Sequence, residues 1–127
     1  MSKIIVVDDD HTNITLTKML LELDGFQVTT CTDIPQATEA AGNGIDAFVI
    51  DYHLARGVNG LELLHQIRNG ETAAAPETIV IVTSGDYRRE IESNQAGADL
   101  FLHKPYPPEN LSEELKKLLK MRESHGK

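Results

Sequence analysis

The chain has 127 residues, 40% hydrophobic and 25% charged, which suits one globular domain able to hold a core without staples. Its single cysteine, Cys31, excludes an internal disulfide framework and points to a reducing, cytoplasmic setting. A formal net charge of −8 repels phosphate backbones, so direct nucleic-acid binding is not expected, and no apolar run approaches the length of a membrane span.

Met1-Ser2-Lys3 leads straight into Ile4-Ile5-Val6-Val7, a run too short for a signal peptide that ends in three acids and reads as a buried strand. The spacing predicts a first helix from about Thr12 to Asp24, with Ile14, Leu16, Met19, Leu20 and Leu23 as candidates for its buried side and Gly25 as its stop. Phe26 to Cys31 alternates and predicts a half-buried edge strand. Asp33 is suited to cap a second helix, with Pro35 in its first turn, that stops in Gly42-Asn43-Gly44. Ala47 to Ile50 is the next buried run, and Asn59 is suited to cap a third helix carrying Leu61, Leu64 and Ile67 and closed by Asn69-Gly70. After the run Ile79 to Val82, a weak fourth helix extends roughly from Tyr87 to Ala96, with Ile91 as its one large aliphatic residue. Leu100 to Leu102 makes the last strand. The last helix begins near Pro108 and carries Leu111, Leu115, Leu118 and Leu119, with Lys116, Lys117, Lys120 and Arg122 suiting the dipole at its end.

Five β/α units in one domain, residues 1–127, imply a parallel sheet with helices on both faces. They are too few to close an eight-fold barrel. The expected fold is therefore α/β: a flavodoxin-like, doubly wound, five-stranded parallel sheet in the order 2-1-3-4-5. In such sheets the functional crevice lies beyond the C-terminal ends of the strands.

Those ends carry Asp8-Asp9-Asp10, Asp51, Thr83-Ser84 and His103-Lys104-Pro105. Each has a bland explanation alone, as a solvated loop, a turn residue or a surface lysine, but together they put acids, a hydroxyl and a lysine on one edge. Carboxylates about 5 Å apart repel by roughly 3 kcal/mol per pair at an effective dielectric of about 20. A hard divalent cation removes that cost, and carboxylates, carbonyls and water suit Mg²⁺. With a lysine and a hydroxyl this is equipment for phosphoryl transfer, where positioning and charge neutralisation do most of the catalysis. The five histidines form no evident transition-metal constellation.

Along almost its whole length the chain resembles the receiver domains of bacterial response regulators in two-component signalling. The resemblance rests on Ile4-Ile5-Val6-Val7-Asp8-Asp9, Ala47-Phe48-Val49-Ile50-Asp51, Gly60-Leu61-Glu62-Leu63-Leu64, Ile79 to Thr83, Ala96-Gly97-Ala98 and Lys104-Pro105-Tyr106, in that order and spacing. It implies that Asp51 is the phosphoacceptor, that Asp9 ligates Mg²⁺ directly, and that Asp8 is a second acid acting partly through water. It further implies that His53 offers its backbone carbonyl to the metal, that Lys104 pairs with Asp51 and then with the phosphoryl oxygens, and that the Lys104–Pro105 bond is cis. Thr83 would bond a phosphoryl oxygen, with Ser84 as the alternative hydroxyl, and Phe101 would be the aromatic switch residue, moving inward on phosphorylation. The implied phosphodonor is a sensor histidine kinase or a histidine phosphotransfer protein. The implied output is a phosphorylation-dependent dimer or an effector partner, reached through the fourth helix, fifth strand and fifth helix. Such a protein catalyses its own phosphorylation and dephosphorylation and is not a turnover enzyme in the usual sense.

Three features depart from the family pattern. The loop Tyr52 to Gly60 lacks the usual Met-Pro and is one residue longer, as in some receivers attached to sensor kinases, so a hybrid kinase is one candidate parent. The segment from Thr83 to Lys104 is one residue shorter than usual, and the switch position holds phenylalanine where tyrosine is common. Asp8-Asp9-Asp10-His11-Thr12 also fits the Asp-x-Asp-x-Thr pattern of haloacid-dehalogenase-like phosphatases, with Asp8 as nucleophile and Asp10 as general acid. That reading leaves Asp51 without a role. A degenerate receiver that only binds partners is a further alternative.

Overall fold

A computed structural model of the chain describes residues 1–125; Gly126 and Lys127, the end of the predicted domain, lie outside the described residues. Strands β1 (Lys3–Val7), β2 (Gln27–Cys31), β3 (Ala47–Asp51), β4 (Ile79–Ser84) and β5 (Leu100–His103) form one parallel sheet in the order β2-β1-β3-β4-β5, as expected. The helices are α1 (His11–Leu23), α2 (Ile34–Ala40), α3 (Leu61–Arg68), α4 (Glu90–Gln95) and α5 (Pro108–His125), with short 3₁₀ turns at Ala55–Gly57 and Tyr87–Arg89.

Strand side chains alternate between the faces, so each apolar run feeds two cores. Ile4, Val6, Ala47, Val49, Ile79 and Ile81 pack under Ile14 and Leu21 of α1 and Leu111 and Leu115 of α5. Ile5, Val7, Phe48, Ile50, Val80 and Val82 pack under α2 and α3, where Ile34, Ala37, Leu61, Leu64 and Ile67 meet them. Burial on both faces is why β1, β3 and β4 read as unbroken runs of branched residues. The outer strand β2 buries only Val28 and Cys31.

Several local expectations change. Helix α1 buries Ile14 and Leu21, whereas Leu16, Met19 and Leu23 are 52%, 57% and 81% exposed. At 3.6 residues per turn, Ile14 and Leu21 lie about 20° apart around the axis, and those three fall roughly 140–200° away. The leucine-rich side is therefore the outer side. Gly25, at φ +93°, ends α1 in the left-handed region as expected. Helix α2 ends at Ala40, before the glycines. At α3 the N-cap position belongs to Gly60, while Asn59 accepts from the Leu61 N–H at 2.8 Å from one residue earlier.

The predicted fourth helix is a 3₁₀ turn followed by six α-helical residues. Ile91 is exposed, and Ser93 is the helix's buried residue. Its apolar content cannot sustain a longer packed helix. At the end of the sheet remote from the crevice, Arg68 donates to the carbonyls of Pro76, Thr78 and Gly97 and to the Asp99 carboxylate, tying α3 to the starts of β4 and β5.

Candidate functional site

Asp8 and Asp9 follow directly on β1, Asp51 closes β3, and Lys104 follows directly on β5. Parallel strands end at one edge, so these residues converge there. Asp8, Asp9 and Asp51 each offer a carboxylate oxygen, and the three oxygens lie within 4.8 Å of one another, the one such acidic group found among the described residues. The Lys104 ammonium stands 3.4 Å from Asp51 Oδ2 and 3.6 Å from Asp8 Oδ2. The Lys104–Pro105 bond is cis.

Asp8 is only 5% exposed and is held by two donors. Its Oδ1 accepts from the Asp10 N–H at 3.0 Å and its Oδ2 from Asn13 Nδ2 at 2.7 Å. Asp10 turns outward to cap α1, accepting from the N–H groups of Thr12 and Asn13. So the acidic triplet divides: two acids face the crevice and the third starts a helix.

Thr83 is the register partner of Asp51, and paired residues of neighbouring strands share a face. Ser84 therefore points to the opposite face, where it is fully buried and its hydroxyl accepts from the Asp86 N–H at 3.0 Å. Of the two candidate hydroxyls, Thr83 is the one beside Asp51. Phe101 is 8% exposed and packs in the α2/α3 core, so the inward position is already occupied here. A phenyl ring has no hydroxyl to hold it at the water boundary. His53 is exposed, and its backbone pairs with Asn59 across the loop after β3. A cleft of about 650 Å³, bordered by Asp9, Asp33, Leu54, Arg56 and Glu62, opens beside the acids.

Burial drives the Asp51 carboxyl above its ordinary value; Lys104 opposes this, Asp8 adds to it, and the His53 backbone N–H also opposes it. Such a group binds its proton more tightly folded than unfolded. Its contribution to stability is complete below the unfolded value, 3.8, and is lost as pH rises through the higher folded value. As pH rises through that value, the charge on Asp51 therefore works against folding of the metal-free protein. Asp51→Asn is expected to raise the melting temperature in EDTA by a few degrees at neutral pH, with the gain shrinking as the solution is acidified. A melting series over pH checks this, and a lower melting temperature in the variant at neutral pH would contradict it.

The donor set is all oxygen, with no thiolate and no imidazole directed at it among the described residues, which suits a hard cation such as Mg²⁺ rather than zinc or copper. Sequence reasoning missed two contributors. Asn13, in the first turn of α1, was readable only as a polar helix residue. Tyr52 follows Asp51 directly, but its hydroxyl partner Glu92 lies 40 positions away and no local pattern joins them.

Comparison with known proteins agrees with this geometry. The family model described as the response regulator receiver domain matches residues 4–116. The chain is 32% identical over 125 residues to the transcriptional regulatory protein CpxR of Escherichia coli (strain K12), covering 98% of this chain and 51% of CpxR. It is 35% identical over 106 residues to the sensory/regulatory protein RpfC of Xanthomonas campestris pv. campestris, covering 81% of this chain and 14% of RpfC. The chain thus spans about half the length of CpxR and a smaller share of RpfC. A crystal structure of a CheY-like receiver domain protein from Methanospirillum hungatei JF-1 superposes with a TM-score of 0.86 at 26% identity, covering 98% of each chain. With its strand order and its acids at the strand ends, the chain belongs to the response regulator receiver domain family of two-component systems.

Proposed function

We propose that the chain accepts a phosphoryl group on Asp51 from a sensor histidine kinase or a histidine phosphotransfer protein, in a Mg²⁺-dependent reaction. The observation that carries this reading is the meeting of three carboxylates within 4.8 Å with one lysine 3.4 Å from Asp51. Asp8, Asp9, Asp51 and the backbone carbonyl of His53 would hold Mg²⁺. When bound, the ion neutralises the acids and the phosphoryl oxygens, so that one anion can approach another.

An oxygen of the Asp51 carboxylate attacks phosphorus, the P–N bond to the donor's imidazole breaks, and the ring nitrogen leaves with the electron pair. Lys104 exchanges its contact with Asp51 for one with a phosphoryl oxygen. The Thr83 hydroxyl, on the same face as Asp51, donates to another. Water later attacks phosphorus, breaks the bond to Asp51 and releases inorganic phosphate. Movement of Thr83 toward the acyl phosphate draws on the loop before α4 and biases the face made by α4, β5 and α5, which an effector or a second copy would read. No helix among the described residues is long and apolar enough to cross a membrane.

Thermal melting tests the metal and the acceptor together. A ligand that binds only the folded state stabilises by about 2.7 kcal/mol at one hundred times its Kd, roughly 10 °C for a domain of this size. Mg²⁺ should raise the melting temperature, and beryllofluoride, a phosphoryl mimic, should raise it further. Asp9→Ala should lose the first step and Asp51→Asn the second. No response to Mg²⁺ in the wild type, or an undiminished one in Asp9→Ala, would count against the site as drawn.

A further inference from the structure

Tyr52 follows Asp51 directly, yet its side chain lies on the opposite face of the sheet, 6% exposed, within the α2/α3 core. Its hydroxyl donates to Glu92 Oε1 of α4 at 2.7 Å and accepts from Asn59 Nδ2 at 3.1 Å. The Arg89 guanidinium sits 5.3 Å from the Tyr52 ring centroid and pairs with Asp86 at 3.3 Å and with Glu92 at 3.7 Å. The backbone of Tyr52 is equally engaged: its N–H donates to the Thr83 carbonyl at 2.8 Å and its carbonyl accepts from the Gly60 N–H at 2.7 Å. One residue thus touches both ends of the acceptor loop, the strand that carries the candidate hydroxyl, and α4.

The apolar contacts of α4 itself are few. Its buried residue is Ser93, whose hydroxyl is turned back onto the Arg89 carbonyl at 2.7 Å, and its one large aliphatic side chain, Ile91, faces solvent. A hydrogen bond to a carboxylate is among the stronger single contacts. Breaking this one leaves the buried Tyr52 hydroxyl with Asn59 as its remaining partner and the exposed Glu92 carboxylate with Arg89.

We propose that Tyr52 is the tie between the acceptor loop and α4: its hydroxyl bond to Glu92 holds α4 in the resting position, and strain on that bond carries the phosphorylation of Asp51 to the helix. Tyr52 is a positioning residue, acting through the loop that contains Asp51 and His53. The second half of the statement rests on the acceptor reading above; the first half does not.

Amide hydrogen exchange of residues 90–95, with and without a small acyl phosphate and Mg²⁺, tests both halves. In the resting protein, Tyr52→Phe and Glu92→Ala should each speed exchange in α4 by about tenfold, with the sheet unchanged. Glu92→Gln, whose Oε1 can still accept, should stay near the wild type. After phosphorylation the wild-type helix should exchange faster, whereas Tyr52→Phe should gain less than about twofold further, although peptide mapping finds Asp51 labelled in both. Resting exchange in Tyr52→Phe and Glu92→Ala equal to the wild type would overturn the tie. So would Glu92→Gln behaving like Glu92→Ala, or a rise spread evenly over α4 and the sheet, which would mean general destabilisation. A wild type that takes no label would strike at the acceptor reading, and the resting comparison would still decide whether Tyr52 holds the helix.

Discussion

Incubated with a small acyl phosphate and Mg²⁺, then trapped with borohydride and mapped by peptide mass, the protein is expected to carry label on Asp51 and nowhere else. Asp51→Asn should carry none, because the amide matches the carboxylate in shape but supplies no nucleophilic oxygen anion. Asp8→Asn should be labelled about 10–100-fold more slowly, still on Asp51, since it loses an acid of the metal cradle while the acceptor stays in place. This experiment separates the receiver from a phosphatase that uses Asp8 as nucleophile. The geometry already weighs on the outcome: both Asp8 oxygens are engaged, one by the Asp10 N–H and one by Asn13, and Asp10 spends its carboxylate on the cap of α1 rather than standing free as a general acid. Label on Asp8, or rapid turnover of a phosphomonoester that survives Asp51→Asn, would reverse the assignment. A kinase should transfer faster than the small donor, because docking supplies orientation.

Gly60→Ala is expected to destabilise the protein by about 3 kcal/mol and to slow labelling of Asp51 roughly tenfold. The backbone there, at φ −59° and ψ −22°, is open to any residue, so conformation is not the constraint. Space is. A methyl group at position 60 would overlap the Asp51 carbonyl oxygen and approach Ile50 Cγ2 to 2.9 Å. The neighbours are backbone and a packed core side chain, and neither can swing aside. Relief requires the loop to lift from β3, which breaks the 2.7 Å bond from the Gly60 N–H to the Tyr52 carbonyl and displaces His53 and the end of β3 together. Urea unfolding and a labelling time course measure the two effects. Gly85→Ala is the control, since nothing lies within 4 Å of the added carbon there, and it should leave stability within error of the wild type. Wild-type unfolding of Gly60→Ala would show that the loop is looser than its contacts imply.

The sheet was legible because both its faces are covered. Ile4 to Val7, Ala47 to Ile50 and Ile79 to Val82 have to be apolar at every position, and that continuity is visible without any partner. The acids were legible for a related reason: a parallel sheet sends the ends of its strands to one edge, so residues that follow apolar runs meet there. What stayed hidden depends on rotation or distance. The leucine-rich side of α1 looked like the buried one because hydrophobicity was counted without fixing the phase of the helix, and Ile14 with Leu21 set a phase that leaves Leu16, Met19 and Leu23 outside. That Thr83 rather than Ser84 shares the face of Asp51 needed the register between the two strands. Asn13 and Asp8 lie five positions apart and meet only because α1 turns back over the strand end, and Tyr52 reaches Glu92 across the fold.

Lys104 comes late in the chain, after every acid of the cradle, and it reaches its place only when the edge strand β5 has joined β4. A chain emerging from a ribosome has its three facing carboxylates long before it has the cation that stands against them. A nascent or truncated product that stops short of Lys104 therefore carries Asp51 but lacks the ammonium 3.4 Å from it, and β4 is left with an open edge. On the proposed reading, such molecules would compete poorly for phosphoryl groups with those that contain Lys104. Phosphoryl acceptance would, on that same reading, in this way wait until synthesis had passed β5.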